Sequence, residues 1–111
     1  MGKPGRYAVA TMLPQLKKKH DIDFVIANVE NAAGGFGLTK EIAEKFFHYG
    51  VDCQTTGNHV WDRKELLDYI GQTTNILRPA NFPPGLPGNG SGIFKTKSGV
   101  KIGVLNLQGR V

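Results

Sequence analysis

The sequence predicts an α/β fold in which parallel strands alternate with helices and a hairpin follows them. Helix-like and strand-like patterns alternate as far as residue 77, which is the order typical of a parallel sheet. After that point, "GIFKTKSGVKIGVLNLQG" alternates between apolar and polar residues around Ser98 and Gly99. Such alternation about a Ser-Gly pair indicates a β-hairpin.

An apolar stripe at helical spacing predicts the first helix from residue 5 to about residue 19. The stripe consists of Val9, Met12, Leu13 and Leu16. The lysines at 17–19 lie near the end of this helix, where positive charge complements the helix dipole; a phosphate- or RNA-binding patch is the alternative. Pro14 lies inside the pattern, and we expect it to bend or shorten the helix.

Two further helices have recognisable ends. Thr39 is a favourable N-cap for a helix that runs to about Tyr49, and Gly50 is a typical residue to end it. Asp62 is expected to cap a shorter helix from Asp62 to Ile70. Both carry an apolar stripe that predicts one buried face.

Three segments read as strands: "DFVIAN" at 23–28, "VDCQTT" at 51–56 and "NILRPANFP" at 75–83. The first is a continuous apolar run, which is typical of a strand covered on both faces. A loop, "VENAAGGFGLT", follows it. Its "GGFG" is interpreted as a tight turn rather than a phosphate cradle, and Phe36 and Trp61 as packing residues rather than a base-stacking platform.

Polar side chains follow all three strands, at the edge of a parallel sheet where ligands bind. The first strand leads to Asn28, Glu30 and Asn31, the second to Asn58 and His59, and the third to Arg78 and Asn81. These residue types can hold metal ions or contact a phosphate, so the sequence predicts a functional site at this edge.

The chemistry of these side chains favours a metal centre. The Glu30 carboxylate has two oxygens that can bridge two cations, and the amide oxygens of Asn31 and Asn58 are neutral hard ligands. His59 is then close enough to face a bound substrate and donate a proton to a leaving oxygen. The alternatives are a turn and cap formed by Asn58 and His59, and simple loop solvation for Glu30 and Asn31.

Composition restricts the class of protein. With 111 residues, 40% hydrophobic and 21% charged, the chain is globular and is one small domain or part of a larger one. A net charge of +5 suits anionic ligands without by itself indicating a nucleic-acid binder.

The cysteine count and the apolar runs of the sequence predict the cellular location. One cysteine, Cys53, excludes a disulfide within the chain, fits a reducing compartment and is interpreted as a small strand hydrophobe. No run approaches the roughly 20 apolar residues of a membrane span, and the start does not resemble a signal peptide. We therefore expect a cytoplasmic protein without membrane contact.

Four ordered blocks resemble a known family: "ANVENAAGGFGLT", "TTGNHVWD", "LRPANFPPGLPGNG" and "VLNLQGRV". Together they are similar to a bacterial branch of the calcineurin-like metallophosphoesterases, whose members are associated with 2′,3′-cyclic-nucleotide 2′-phosphodiesterase activity. The resemblance covers essentially all 111 residues. It implies a partial metallophosphoesterase fold and hydrolysis of phosphodiesters.

The resemblance also implies roles for four residues. Glu30 would bridge two divalent metal ions, Asn31 would ligate one and Asn58 the other. His59 would be the general acid that protonates the departing ribose oxygen. Iron is the metal implied, with manganese and zinc as alternatives because oxygen and imidazole ligands discriminate poorly between them. No substrate-binding residue is assigned.

Two features of the family are not matched by this chain. Members begin with a strand that ends in a Gly-Asp pair, and they take histidine ligands from a segment beyond "NLQGRV". His20 and His48 lie in no matching motif and are expected to be solvated. We therefore expect residues 1–111 to be the N-terminal portion of a single metallophosphoesterase domain, from a truncated, mis-started or split reading frame.

Two alternative functions follow from these two unmatched features of the family. Two divalent ions carry four positive charges, against one carboxylate and two neutral amides, so the chain alone is expected to be inactive. A catalytically inactive basic module that binds nucleotide or RNA, and a non-functional gene fragment, are the alternatives to a phosphodiesterase. An unpaired strand edge at "DFVIAN" would also favour aggregation or a homo-oligomer.

Overall fold

The computed structural model describes residues 2–32, 38–62 and 64–109, without the side chains of Trp61 and Asp62. The interpretations of "GGFG", of Phe36 and Trp61, and of Asp62 as a cap therefore fall outside the described part. The elements are, in chain order, α1 (Lys3–Lys19), β1 (Ile26–Asn28), α2 (Lys40–Tyr49), β2 (Cys53–Thr55), a 3-10 helix (Asn58–Asp62), α3 (Lys64–Ile70), β3 (Ile76–Leu77), β4 (Ser91–Lys95) and β5 (Lys101–Leu105).

The predicted α/β class is confirmed. Strands β1, β2 and β3 form a parallel sheet in that order, with Ile26 opposite Cys53 and Gln54 opposite Ile76. Strands β4 and β5 form an antiparallel hairpin. Gly99 has a φ of 90° in its turn, a left-handed conformation that glycine adopts without strain. Parallel order brings the carboxyl ends of β1 and β2 to one edge of the sheet.

Helix α1 differs from the prediction in its start and in its response to proline. It begins at Lys3, with Pro4 in the first turn, where the missing N–H is harmless. Pro14 lies inside the helix without ending it. Of the two effects expected of Pro14, shortening is therefore wrong, and bending stays a prediction.

Both ends of helix α2 lie where the sequence predicts them. The Thr39 hydroxyl accepts a hydrogen bond from the Ile42 N–H at 3.2 Å. Gly50 has a φ of 114° and donates its N–H to the Phe47 carbonyl at 3.1 Å. Both ends are fixed by local chemistry, which is why the pattern alone was sufficient to place them.

The strands are shorter than predicted, and one helix was missed. Only 26–28, 53–55 and 76–77 pair as strands, against predicted ranges of six to nine residues. The segment Asn58–Asp62 forms a 3-10 helix rather than a turn, and α3 begins at Lys64 instead of Asp62. Five residues are too few to show a helical periodicity in the sequence.

The two faces of the sheet are covered by different elements. Helices cover one face, where the buried cluster consists of Val29, Ala32, Leu38, Ala43, Phe46, Val51, Val60, Leu66, Ile70 and Ile76. The hairpin covers the other face through Cys53, Leu77 and Val104, with Phe24 and Phe94 packed at a ring-centroid distance of 5.7 Å. The sheet is thus the middle layer, and its carboxyl edge lies between the two packed layers.

Adjacent residues of β2 point to opposite layers, as the strand period requires. Gln54 donates from its amide to the Ala43 carbonyl of α2 at 2.8 Å. Cys53 packs on the hairpin side, and burial together with the negative charge of Asp52 raises the pKa of its thiol to about 11. The thiol is therefore neutral at physiological pH, in agreement with its interpretation as a strand hydrophobe.

The free edge of β1 lies beside an apolar groove formed with α1. Among the described strands, β1 pairs only with β2. Met12 and Ile26, which line the groove, are 52% and 50% exposed. The apolar stripe of α1 is thus only partly covered. In the described part of the chain, no helix has the length and apolar character needed to cross a membrane.

We expect the isolated chain to self-associate at tens of micromolar, because an unpaired apolar strand edge pairs readily with another chain. Light scattering after gel filtration measures the mass in solution. Ile26→Lys places a charge on the edge and should shift the protein towards monomer. Lys18→Ile, an exposed change at the end of α1, is the control that should not. A stable wild-type monomer would contradict this expectation.

Candidate active site

Glu30 and His59 come together at the carboxyl edge of the sheet. The backbone N–H of His59 donates to Glu30 Oε1 at 3.2 Å, across 29 residues of sequence. Both residues are half-buried. The structure thus joins the first two predicted strand ends through one polar contact, with the Glu30 carboxylate beside the first turn of the 3-10 helix.

Gly57 provides the space that the Glu30 carboxylate occupies. A Cβ atom at position 57 would overlap the carboxyl carbon and both oxygens of Glu30. The carboxylate therefore lies directly against the backbone that precedes Asn58. No local pattern around Gly57 predicts this role, because the residue that needs its space is distant in the sequence.

Asn28 connects the ends of β1 and β2. Its side-chain oxygen accepts from the Glu30 N–H at 3.4 Å, a long contact, and its amide donates to the Thr55 hydroxyl at 3.2 Å. The Val29 N–H continues the strand ladder by donating to the Thr55 carbonyl at 2.9 Å. These contacts restrict the backbone conformation at Glu30.

The loop after Glu30 is held from two sides. The Ala32 N–H donates to the Val29 carbonyl at 3.1 Å. The Arg6 guanidinium of α1 donates to the Ala32 carbonyl. Asn31, between these anchored residues, is exposed, as is Asn58 on the neighbouring strand end. Both amides are therefore accessible at the same edge as Glu30.

The two polar residues after β3 hydrogen-bond to the backbone of neighbouring loop segments. Arg78 donates to the carbonyls of Pro87 and Pro79 at 3.0 and 2.9 Å. Asn81 exchanges hydrogen bonds with the backbone of Gln108. Arg78 is thus held by backbone carbonyls, and its contact with a phosphate stays a prediction.

The donor set fits part of a metal centre. Glu30 supplies one carboxylate, and Asn31 and Asn58 supply neutral amide oxygens, which are ligands that hard cations prefer. Within residues 2–32, 38–62 and 64–109, no group of three or more His, Cys, Asp and Glu side chains could hold a metal ion. His20 and His48 are both exposed, as expected. The candidate ligands in the described part are therefore one carboxylate and two amides.

Comparison with known proteins places the chain in a family. Residues 1–111 match the YmdB-like protein family, and the chain belongs to it. It is 47% identical over 110 residues to a 2′,3′-cyclic-nucleotide 2′-phosphodiesterase of Bacillus subtilis, covering 99% of this chain and 41% of that protein. The chain thus spans about two fifths of the length of this relative.

Solved structures agree with the assignment. A hypothetical protein from Thermus thermophilus superposes with a TM-score of 0.89 and is 37% identical, covering 99% of this chain and 42% of its own. A phosphatase from Mycoplasma pneumoniae superposes with a TM-score of 0.86 and is 36% identical, with coverages of 97% and 40%. The resemblance to the phosphodiesterase branch is therefore confirmed.

We expect Gly57→Ala to displace the Glu30 carboxylate while leaving the chain folded. The overlapping group is the end of a flexible side chain, so it can rotate away at a small cost in stability. The contact from the His59 N–H should then be lost, and the exchange of this amide hydrogen should accelerate. Gly103→Ala is the control, because a Cβ there meets nothing within 4 Å. Equal exchange at His59 in both variants would contradict the argument.

Proposed function

We propose that this chain carries one part of the active site of a metal-dependent phosphodiesterase, in the manner of the calcineurin-like metallophosphoesterases. The proposed substrates are phosphodiesters, including 2′,3′-cyclic nucleotides, in a cytoplasmic setting. The observation that carries the proposal is the contact between the His59 N–H and the Glu30 carboxylate at 3.2 Å. It brings a carboxylate, two exposed amides and an imidazole-bearing residue to one edge of the sheet.

Three side chains are proposed as metal ligands. Glu30 would bridge two divalent ions, with Asn31 on one ion and Asn58 on the other. When bound, the pair would neutralise phosphate charge and activate the attacking water. Iron is the proposed metal, and manganese and zinc are alternatives. Since one carboxylate cannot balance two divalent ions, the remaining ligands are proposed to come from residues outside this chain.

His59 is proposed as the general acid. Its backbone N–H donates to Glu30, so its Cα lies near the carboxylate that is proposed to bridge the ions. Its side chain would protonate the leaving ribose oxygen as the bond to phosphorus breaks, so that an alcohol departs instead of an alkoxide.

The alternative, a basic module that binds nucleotide without cleaving it, has less support. It depends on the lysines at 17–19 as a phosphate patch. Lys17 donates to the Gly50 carbonyl at 3.2 Å, so it contributes to packing between α1 and the end of α2. Lys18 and Lys19 lie at the end of α1, where they complement the helix dipole.

A chimaera tests the proposed function in a protein of full length. This chain would replace the matching 110 residues of the B. subtilis phosphodiesterase, which it resembles at 47% identity. We expect the chimaera to bind metal and hydrolyse 2′,3′-cyclic nucleotides. A folded, metal-loaded chimaera that binds these nucleotides without cleaving them would favour the binding module instead.

The isolated chain should behave differently. We expect weak binding of Fe²⁺ or Mn²⁺ and negligible hydrolysis of cyclic nucleotides or bis-p-nitrophenyl phosphate, because Glu30 is the one charged member of the proposed ligand set. Elemental analysis after gel filtration measures the bound metal. Two equivalents of metal per chain would contradict the charge argument and would mean that a second copy or an unassigned residue completes the site.

A further inference from the structure

Asn106 lies just beyond β5, on the hairpin side of the sheet, and reaches the residues that precede the site. It is 9% exposed. Its side-chain amide donates to the Thr56 carbonyl at 2.7 Å and to the Leu77 carbonyl at 3.0 Å. The first of these belongs to the peptide unit that joins Thr56 to Gly57. Asn106 thus contacts the backbone immediately before the segment Gly57–His59.

The backbone of Asn106 is itself fixed on both sides. Its N–H donates to the Gly90 carbonyl at 2.9 Å, and its carbonyl accepts from the Ala80 N–H at 2.8 Å. Gly90 and Ala80 pack so closely that a Cβ at position 90 would overlap the Ala80 backbone. The amide of Asn106 is therefore presented from a rigid position.

We propose that Asn106 is a positioning residue for Asn58 and His59: its amide fixes the Thr56–Gly57 peptide and, through it, the start of the 3-10 helix. This proposal rests on the proposed function for its catalytic consequence, but not for its geometry. The Leu77 carbonyl also accepts from the N–H and the hydroxyl of Thr56 at 3.0 and 2.9 Å. Of the two bonds that the Asn106 amide donates, the one to the Thr56 carbonyl is therefore the one that fixes the peptide leading to Gly57 and Asn58.

Asn81 provides a matched comparison. It also makes two side-chain hydrogen bonds between the segment after β3 and the segment after β5, through the backbone of Gln108. It is exposed, and neither bond involves the backbone of 56–59. If Asn106 only held these segments together, the same substitution at both positions would have similar effects on the site.

Hydrogen exchange of the 111-residue chain, followed by mass spectrometry, separates the two roles. In Asn106→Ser we expect the peptide covering 56–60 to exchange roughly tenfold faster, because the Thr56 carbonyl is left without its buried donor. The peptide covering α2 should be unchanged. Asn81→Ser should leave 56–60 as in the wild type. Asn106→Gln keeps a donating amide and should give an intermediate rate.

The chimaera then tests the catalytic consequence. Asn106→Ser should lower kcat, by up to about 10²-fold for a misplacement near 1 Å, with KM less affected than kcat, whereas Asn81→Ser should not. If Asn106→Ser accelerates exchange at 56–60 in the chain but the chimaera without this substitution is inactive, the proposed function is overturned and the positioning role of Asn106 stands. Equal exchange at 56–60 in the two serine variants would overturn the positioning role of Asn106. If Asn106→Ser unfolds the chain, the exchange rate of Asn106→Gln decides instead. Acceleration confined to 56–60 supports the positioning role of Asn106, and uniform acceleration overturns it.

Discussion

We expect His59→Ala, introduced into the chimaera, to slow turnover of 2′,3′-cyclic nucleotides by roughly 10²–10⁴-fold, the usual contribution of a positioned proton donor. The substitution removes the imidazole but keeps the backbone N–H that contacts Glu30 at 3.2 Å. The local geometry should therefore survive, and the loss should appear in kcat. Steady-state kinetics with wild type and variant side by side measures it.

The leaving group distinguishes a general acid from a residue with another role. Nitrophenolate departs without protonation, so the loss in His59→Ala should be much smaller for bis-p-nitrophenyl phosphate than for a cyclic nucleotide. His20→Ala is the control, since His20 is exposed at the end of α1 and should not affect either substrate. Equal losses for both substrates would remove the general-acid role of His59.

We expect Glu30→Ala to lower activity at least about 10²-fold, because loss of residues that merely support metal ligands already costs roughly 10–100-fold. Glu30 is the one carboxylate of the proposed ligand set, and it also accepts the N–H of His59. Both the charge and the contact disappear in this variant. Turnover should recover in part when excess Mn²⁺ is supplied, if weakened metal binding is the cause.

Glu30→Gln separates the two roles of this side chain. It keeps an oxygen that can accept from His59, but it removes the negative charge. We expect Glu30→Gln to be nearly as inactive as Glu30→Ala. Glu41→Ala, an exposed carboxylate in the first turn of α2, is the control for charge removal. Full activity in Glu30→Gln would mean that Glu30 acts only as a hydrogen-bond acceptor.

Local chemistry determined the part of the fold that the sequence could predict. Thr39 and Gly50 each act on their own helix, so the limits of α2 were correct. The hairpin was correct because its turn residues and its alternation are neighbours in sequence. The approach of Glu30 to His59 followed from one general rule, that parallel strands end at a common edge.

Contacts between distant residues determined what could not be predicted. The space at Gly57 is defined by Glu30, and the amide of Asn106 reaches Thr56 across 50 residues. Neither has a local pattern. Arg78 is similar: no local pattern predicts that the proline-rich loop provides the carbonyls that it contacts.

The metal content of two variants of the chimaera, measured by elemental analysis after gel filtration, decides between the roles proposed for Glu30 and His59. If Glu30 bridges the ions and His59 is an acid, Glu30→Ala should lose metal while His59→Ala keeps as much as the wild type. Loss of metal in His59→Ala would make His59 a ligand. Full metal content in Glu30→Ala would show that the edge formed by β1 and β2 is not the metal centre.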